Sequence, residues 1–210
     1  MTVAAVISDF GGVLTSPLLG AFQAFQETSA VPLAELGTAM AAIAARSGVN
    51  PLFELETGRL TESDFLAQLG EQLSGQLGRT VDMSTFGERY FAQLEPNDPM
   101  IGYMRELRER GYKLAICTNN VREWTHRWRA MLPVDEIFDV VVDSAFVGAR
   151  KPEPRIYELT LEALGVDAGS ALLIDDVEAN CEGARAVGLD AVWFQSTEQA
   201  IGDTEAALQR

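Results

Sequence analysis

Positive charge and histidine are scarce in this chain. Sixteen Lys and Arg stand against 31 Asp and Glu, a net charge of −15, and His126 is the single histidine. The deficit excludes nucleic acid and anionic membrane surfaces as main partners, because both are bound by releasing counterions to spare cationic groups. A small anionic substrate is not excluded, since it meets only a local site. It does need a local positive focus there, a lysine or a metal ion, against the repulsion of the whole surface. Cysteine is nearly absent as well. Cys117 and Cys181 lie in apolar or helical contexts without metal-ligand spacing, so no disulfide framework is expected and a reducing, cytoplasmic setting is read. His126 lies near Trp124 and Trp128 with no partner at ligand spacing, which makes it a surface or packing residue. No run of 18 apolar residues occurs, and the first residues lack a basic segment followed by an apolar one, so neither a membrane span nor export is expected. Internal repeats and low-complexity linkers are also lacking.

What is present is an alternation of apolar runs with amphipathic patterns. Runs at Val3–Ser8, Tyr112–Thr118, Phe138–Val142, Ala171–Asp175 and Asp190–Phe194 read as strands. From the second onward, helical patterns or loops separate them, which predicts parallel βαβ units and a sheet covered on both faces. Pro99 opens one helix and Gly111 stops it; Pro154–Leu164 and Glu178–Val187 end at Gly165 and Gly188 in the same way. Some eighty residues between the first two strands carry only helical signals. Leu18, Leu19, Phe22 and Phe25 share one face, Leu36, Met40 and Ile43 another, and Thr61 caps a helix bearing Phe65, Leu66, Leu69 and Leu73. The expected architecture is a doubly wound α/β core, residues 1–16 and 97–210, with a helical cap of residues 17–96 inserted after the first strand.

Four segments fall at the carboxyl ends of predicted strands: Asp9, Thr118-Asn119-Asn120, Lys151 and Asp175-Asp176. A doubly wound sheet gathers such ends at one edge, where ligands bind. The set holds a carboxylate of nucleophile type, a hydroxyl with amides, one ammonium and a carboxylate pair. That inventory suits phosphoryl transfer with Mg²⁺, whose preferred ligands are hard oxygens.

These segments, Asp9-Phe10-Gly11-Gly12-Val13-Leu14-Thr15, Ile116-Cys117-Thr118-Asn119-Asn120, Arg150-Lys151-Pro152-Glu153-Pro154 and Leu173-Ile174-Asp175-Asp176-Val177, resemble the four motifs of the haloacid dehalogenase-like hydrolase superfamily, in the family's order. The wording is most similar to the branch holding the phosphatase domain of soluble epoxide hydrolases and small bacterial phosphatases. The resemblance implies that Asp9 attacks phosphorus and that Lys151 bridges Asp9 and the transferring group. It implies that Thr118 and the Asn119 backbone hold the phosphoryl oxygens of a small phosphorylated metabolite. It also implies a Mg²⁺ held by Asp9, the Gly11 carbonyl and Asp176, with Asp175 acting through water or orienting the shell. Most phosphatases of the superfamily carry a second aspartate, an acid and base, where this chain has Gly11. General acid–base help contributes about 10²–10⁴-fold, so its loss slows turnover without forbidding it. Two other readings stay open: a metal-free 2-haloacid dehalogenase, and a binding protein that kept the fold and lost turnover. Arg150 reads as a surface charge, Asn180 as a mid-helix polar residue and Cys117 as a core residue, while nothing selects among Arg46, Glu56 and Arg59 of the insertion.

Overall fold

A computed structural model describes residues 2–17, 26–27 and 31–210. The helical face expected from Leu18, Leu19, Phe22 and Phe25 lies outside the described residues. Five parallel strands form one sheet: β1 Ala5–Ser8, β2 Lys113–Thr118, β3 Val140–Asp143, β4 Ala171–Asp175 and β5 Asp190–Trp193. Their spatial order is β3-β2-β1-β4-β5, so β1 is central and the strand order reverses beside it. Every residue of β1 and β4 is buried, as expected of strands covered on both faces.

Helices cover each face. On one side Asp98–Glu109 and Thr197–Leu208 bury Met100, Met104, Leu107 and Ala200 against Val6, Leu114 and Ile174. On the other, Pro154–Leu164 and Glu178–Ala186 bury Ile156, Tyr157, Cys181 and Ala184 against Ile7, Cys117 and Leu173. Cys117 is thus the core residue its setting suggested. The third expected strand is shifted: β3 starts at Val140 rather than Phe138. Phe138 closes the short helix Val134–Ile137 by donating its N–H to the Val134 carbonyl, and its ring joins the core. Asp139 then accepts from the Leu114 N–H with its side chain, and the ladder begins at Val140, two residues later than expected.

The segment between Thr15 and Pro96 contains no strand among its described residues. Its helices, Leu33–Ser47, Pro51–Glu56, Glu62–Leu77 and Phe86–Phe91, share a separate apolar core that includes Leu36, Ile43, Phe65, Leu73 and Tyr90. Asn50 and Thr61 cap two of these helices through their side chains, which satisfies backbone donors that lack an intrahelical partner. The chain leaves and re-enters the sheet side by side. Thr15 pairs antiparallel with Pro96, and Asn97 donates its backbone N–H to the Leu14 carbonyl and its side-chain amide to the Val13 carbonyl.

Candidate active site

β1 delivers Asp9 to the carboxyl edge of the sheet at the point where the strand order reverses. Its neighbours there are the last residue of β2, Thr118, and the last residue of β4, Asp175. Lys151 reaches this edge from the segment between β3 and helix Pro154–Leu164. The side-chain amide of Asn119 fixes it from both sides, donating to the Lys151 carbonyl at 3.0 Å while its oxygen accepts from the Lys151 N–H at 2.8 Å. The ammonium is fully buried. It lies 2.9 Å from Asp9 Oδ1 and 2.6 Å from Asp175 Oδ2.

Asp175 uses its other oxygen as well: Oδ1 accepts from the Val177 N–H and from the Asn180 side-chain amide, each at 2.9 Å. Asn180 is therefore not a bystander on its helix. It lies one turn past Asp175 and is buried because that amide has a carboxylate to hold. Asp9 Oδ1 accepts from Lys151 and also from the Phe10 N–H at 2.7 Å; no described residue holds Oδ2. Asp176, next in the chain, completes a cluster in which Asp9, Asp175 and Asp176 each offer an oxygen within 4.8 Å of the others. These are hard oxygen donors, the type that Mg²⁺ takes.

Gly12 makes that cluster possible. Its φ is +78°, and a Cβ there would stand 2.2 Å from Asp176 Oδ2 and 2.7 Å from its Cγ. Any side chain at position 12 would displace the third carboxylate, a constraint the motif shows as a Gly-Gly pair without revealing its reason.

The electrostatics follow from burial. Removal from water pushes the Asp9 carboxyl up to about 7, against the pull of Lys151 and with the push of Asp175 and Asp176. Asp176 is raised by the same two causes, burial and then the Asp175 charge. Burial disfavours charge on Lys151 too, yet the Asp175 and Asp9 carboxylates hold it above the ordinary lysine range. It remains an ammonium. Three carboxylates thus stand around one ammonium, two more acidic groups than that cation can pair.

Above this edge, Gly11, Phe10, Thr118 and Asn119 form the floor of a cavity of about 490 Å³ whose walls come from the helices between β1 and β2. Of the basic residues in that segment, none lines it. Glu56 does, and it pairs at 2.6 Å with Arg150, whose guanidinium also lies 3.9 Å over the Phe53 ring. Arg150 is thus a partly buried tie between the helical segment and the segment carrying Lys151, not the surface charge that its loop context suggested. His126 is exposed.

Comparison with known proteins bears on the family and the fold. The family model of haloacid dehalogenase-like hydrolases matches residues 3–188. Acyl-CoA dehydrogenase family member 10 of Mus musculus is 29% identical over 207 residues, which is 97% of this chain and 19% of that protein. Phosphatase MT3486 of Mycobacterium tuberculosis is 31% identical over 193 residues, 91% of this chain and 87% of the relative. Two solved structures share the fold. A haloacid dehalogenase (HAD) family enzyme of Bacteroides thetaiotaomicron, in complex with magnesium and inorganic phosphate, gives a TM-score of 0.64 at 19% identity over 90% of this chain and 93% of that one. The L-2-haloacid dehalogenase of Xanthobacter autotrophicus gives 0.62 at 23% identity over 90% and 76%.

Proposed function

The chain belongs to the haloacid dehalogenase-like hydrolases, and from that premise we propose that it is a Mg²⁺-dependent phosphatase of a small phosphorylated metabolite, working through an aspartyl-phosphate on Asp9. The observation that carries this reading is the excess of carboxylates over cationic groups in the cluster. Asp9 and Lys151 alone would serve a metal-free dehalogenase; Asp175 and Asp176 add repulsion that a divalent cation relieves. A relative of nearly equal extent is named a phosphatase, and a protein of the same fold binds magnesium with phosphate.

In this reading Asp9, the Gly11 carbonyl and Asp176 hold Mg²⁺. Asp175, with both oxygens already engaged, orients Lys151. When bound, the ion neutralises the charge of the cluster and of the phosphate oxygens. Thr118 and the Asn119 backbone N–H hold two phosphoryl oxygens, and Lys151 stabilises the charge spread over the transferring group. Asp9 Oδ2 attacks phosphorus while the ester oxygen departs with its bonding electrons. Water then attacks phosphorus, releasing inorganic phosphate and restoring the carboxylate. Gly11 offers no proton to the departing alcohol, so aryl and acyl phosphates are expected to turn over faster than alkyl ones. Residues 17–96 act as a cap on a core of 1–16 and 97–210, with the Thr15–Pro96 pairing as its neck. Buried, unpaired Cys117 and Cys181 suit a cytoplasmic setting.

Assay of p-nitrophenyl phosphate and 2-chloropropionate, each with Mg²⁺ or EDTA, tests the reading. Phosphate release that EDTA stops and Mg²⁺ restores is the expected result. Halide release indifferent to EDTA would replace it with the dehalogenase, and silence on both substrates with the binding protein. Gly12→Ala tests the metal site by itself. Its methyl must push the Asp176 carboxylate aside, so Mg²⁺ affinity measured by calorimetry is expected to fall about 10- to 100-fold. Unchanged affinity would remove Asp176 from the ligand set.

A further inference from the structure

The cavity above the site has a composition that selects a substrate. Its walls are set by Leu36, Met40, Leu55, Phe65, Leu69 and Phe86, and among the described residues no lysine or arginine lines it. The two carboxylates on the wall are already committed. Glu56 pairs with Arg150 at 2.6 Å, and Glu62 accepts from Trp124 Nε1 at 2.7 Å. A sugar, nucleotide or amino-acid body placed here would lose water from its hydroxyls or charges and find few partners in return. Its volume, about 490 Å³, is that of a site for a whole small molecule and exceeds what a phosphate group alone requires.

Gly37 adds a second observation. It lies inside the helix Leu33–Ser47, lines the cavity, and a Cβ built there would meet nothing within 4 Å. Glycine disfavours a helix interior, and no close neighbour requires it. Gly37 is itself exposed, so it stands at the open rim of the cavity, where an added side chain has room.

We propose that the substrate is the phosphate monoester of an apolar alcohol or phenol, with its uncharged hydrocarbon body in this cavity and its phosphate at Asp9. The proposal rests on the phosphatase reading for its head group. The body follows from the cavity alone. Burial of hydrocarbon is the recognition force, so affinity rises with each methylene until the space is filled, by about fourfold per group.

Binding of n-alkylphosphonates from methyl to octyl, which cannot be hydrolysed, tests this by calorimetry in the presence of Mg²⁺. The expected result is a Kd that falls about fourfold per added methylene across the series. Gly37→Phe, which puts a ring into open space, is expected to flatten the series from a shorter chain onward. A flat series for the unaltered protein would overturn the proposal. So would a steep series that Gly37→Phe leaves unchanged, because the chain would then lie elsewhere. The phosphatase reading is judged separately, by p-nitrophenyl phosphate turnover and by whether EDTA abolishes phosphonate binding. A protein that fails there but keeps the chain-length slope refutes the head-group chemistry and retains the apolar site.

Discussion

Replacing Asp9 with asparagine is expected to lower phosphate-ester turnover by roughly 10⁴- to 10⁶-fold, the range seen when a nucleophile or its direct partner is removed. An amide oxygen at this place is a poor nucleophile and a neutral, weaker ligand for Mg²⁺, so both turnover and metal affinity should fall together. The fold should not suffer. Asp9 is buried, and its carboxyl is pushed up to about 7, so burial opposes its ionisation in the metal-free protein. The sign follows directly. A carboxyl raised from 3.8 in this way gives its full share of stability below that value and loses it as pH climbs towards 7. Asparagine carries no such penalty. With EDTA present, thermal unfolding of Asp9→Asn is therefore expected at or above the wild-type Tm at pH 7, with a flatter pH dependence between about 4 and 7. A variant that is inactive because it is unfolded would show the reverse, and substantial residual turnover would place the nucleophile elsewhere.

Lys151→Met is expected to be costly in both respects. Methionine matches much of the lysine stem but leaves Asp9, Asp175 and Asp176 facing one another without a cation, since the Lys151 ammonium pairs with Asp9 at 2.9 Å and Asp175 at 2.6 Å. Removing one partner of a buried ion pair costs about 3–5 kcal/mol, a large share of the total stability of a domain. Thermal unfolding should fall accordingly in EDTA, and Mg²⁺ should recover more of the loss than it adds to the wild type, because it then supplies the sole positive charge of the cluster. Turnover should remain depressed by about 10²- to 10³-fold even at saturating Mg²⁺, the cost of removing one preorganised group from developing charge. A Lys151→Met protein as stable as wild type in EDTA would mean that the ammonium does not compensate the cluster. Full activity at saturating Mg²⁺ would mean that it does not face the transferring group.

The sheet was legible because three of its parallel strands are apolar runs that lead directly into a polar residue of the site. Ala5–Ser8 ends at Asp9, Lys113–Thr118 at a hydroxyl, and Ala171–Asp175 at a carboxylate, so the motif order carried the edge with it. Two kinds of information were not legible. The first was pairing at long range. Nothing near Arg150 in the chain indicates Glu56, 94 residues earlier, and a charge beside a loop proline reads as solvated until that partner is seen. The second was division of labour within one side chain. The motif points only to the Asn119 backbone, whereas its side-chain amide also clamps the N–H and the carbonyl of Lys151. Asn180 is a polar residue on a helix until Asp175 is found beneath it. Gly12 is the intermediate case, since a Gly-Gly turn announces tight quarters but not that the space belongs to Asp176. The cavity could not be foreseen at all, because helical periodicity shows which residues avoid water without showing that they stop short of touching.

The most direct test of the site is a crystal structure of the protein soaked with Mg²⁺ and beryllofluoride. The expected density is a tetrahedral BeF₃ group bonded to Asp9, with the Lys151 ammonium on a fluorine and one cation shared by Asp9 and Asp176. A site that leaves Asp9 unmodified while Mg²⁺ is bound, or that binds no cation at the carboxylates, would contradict it.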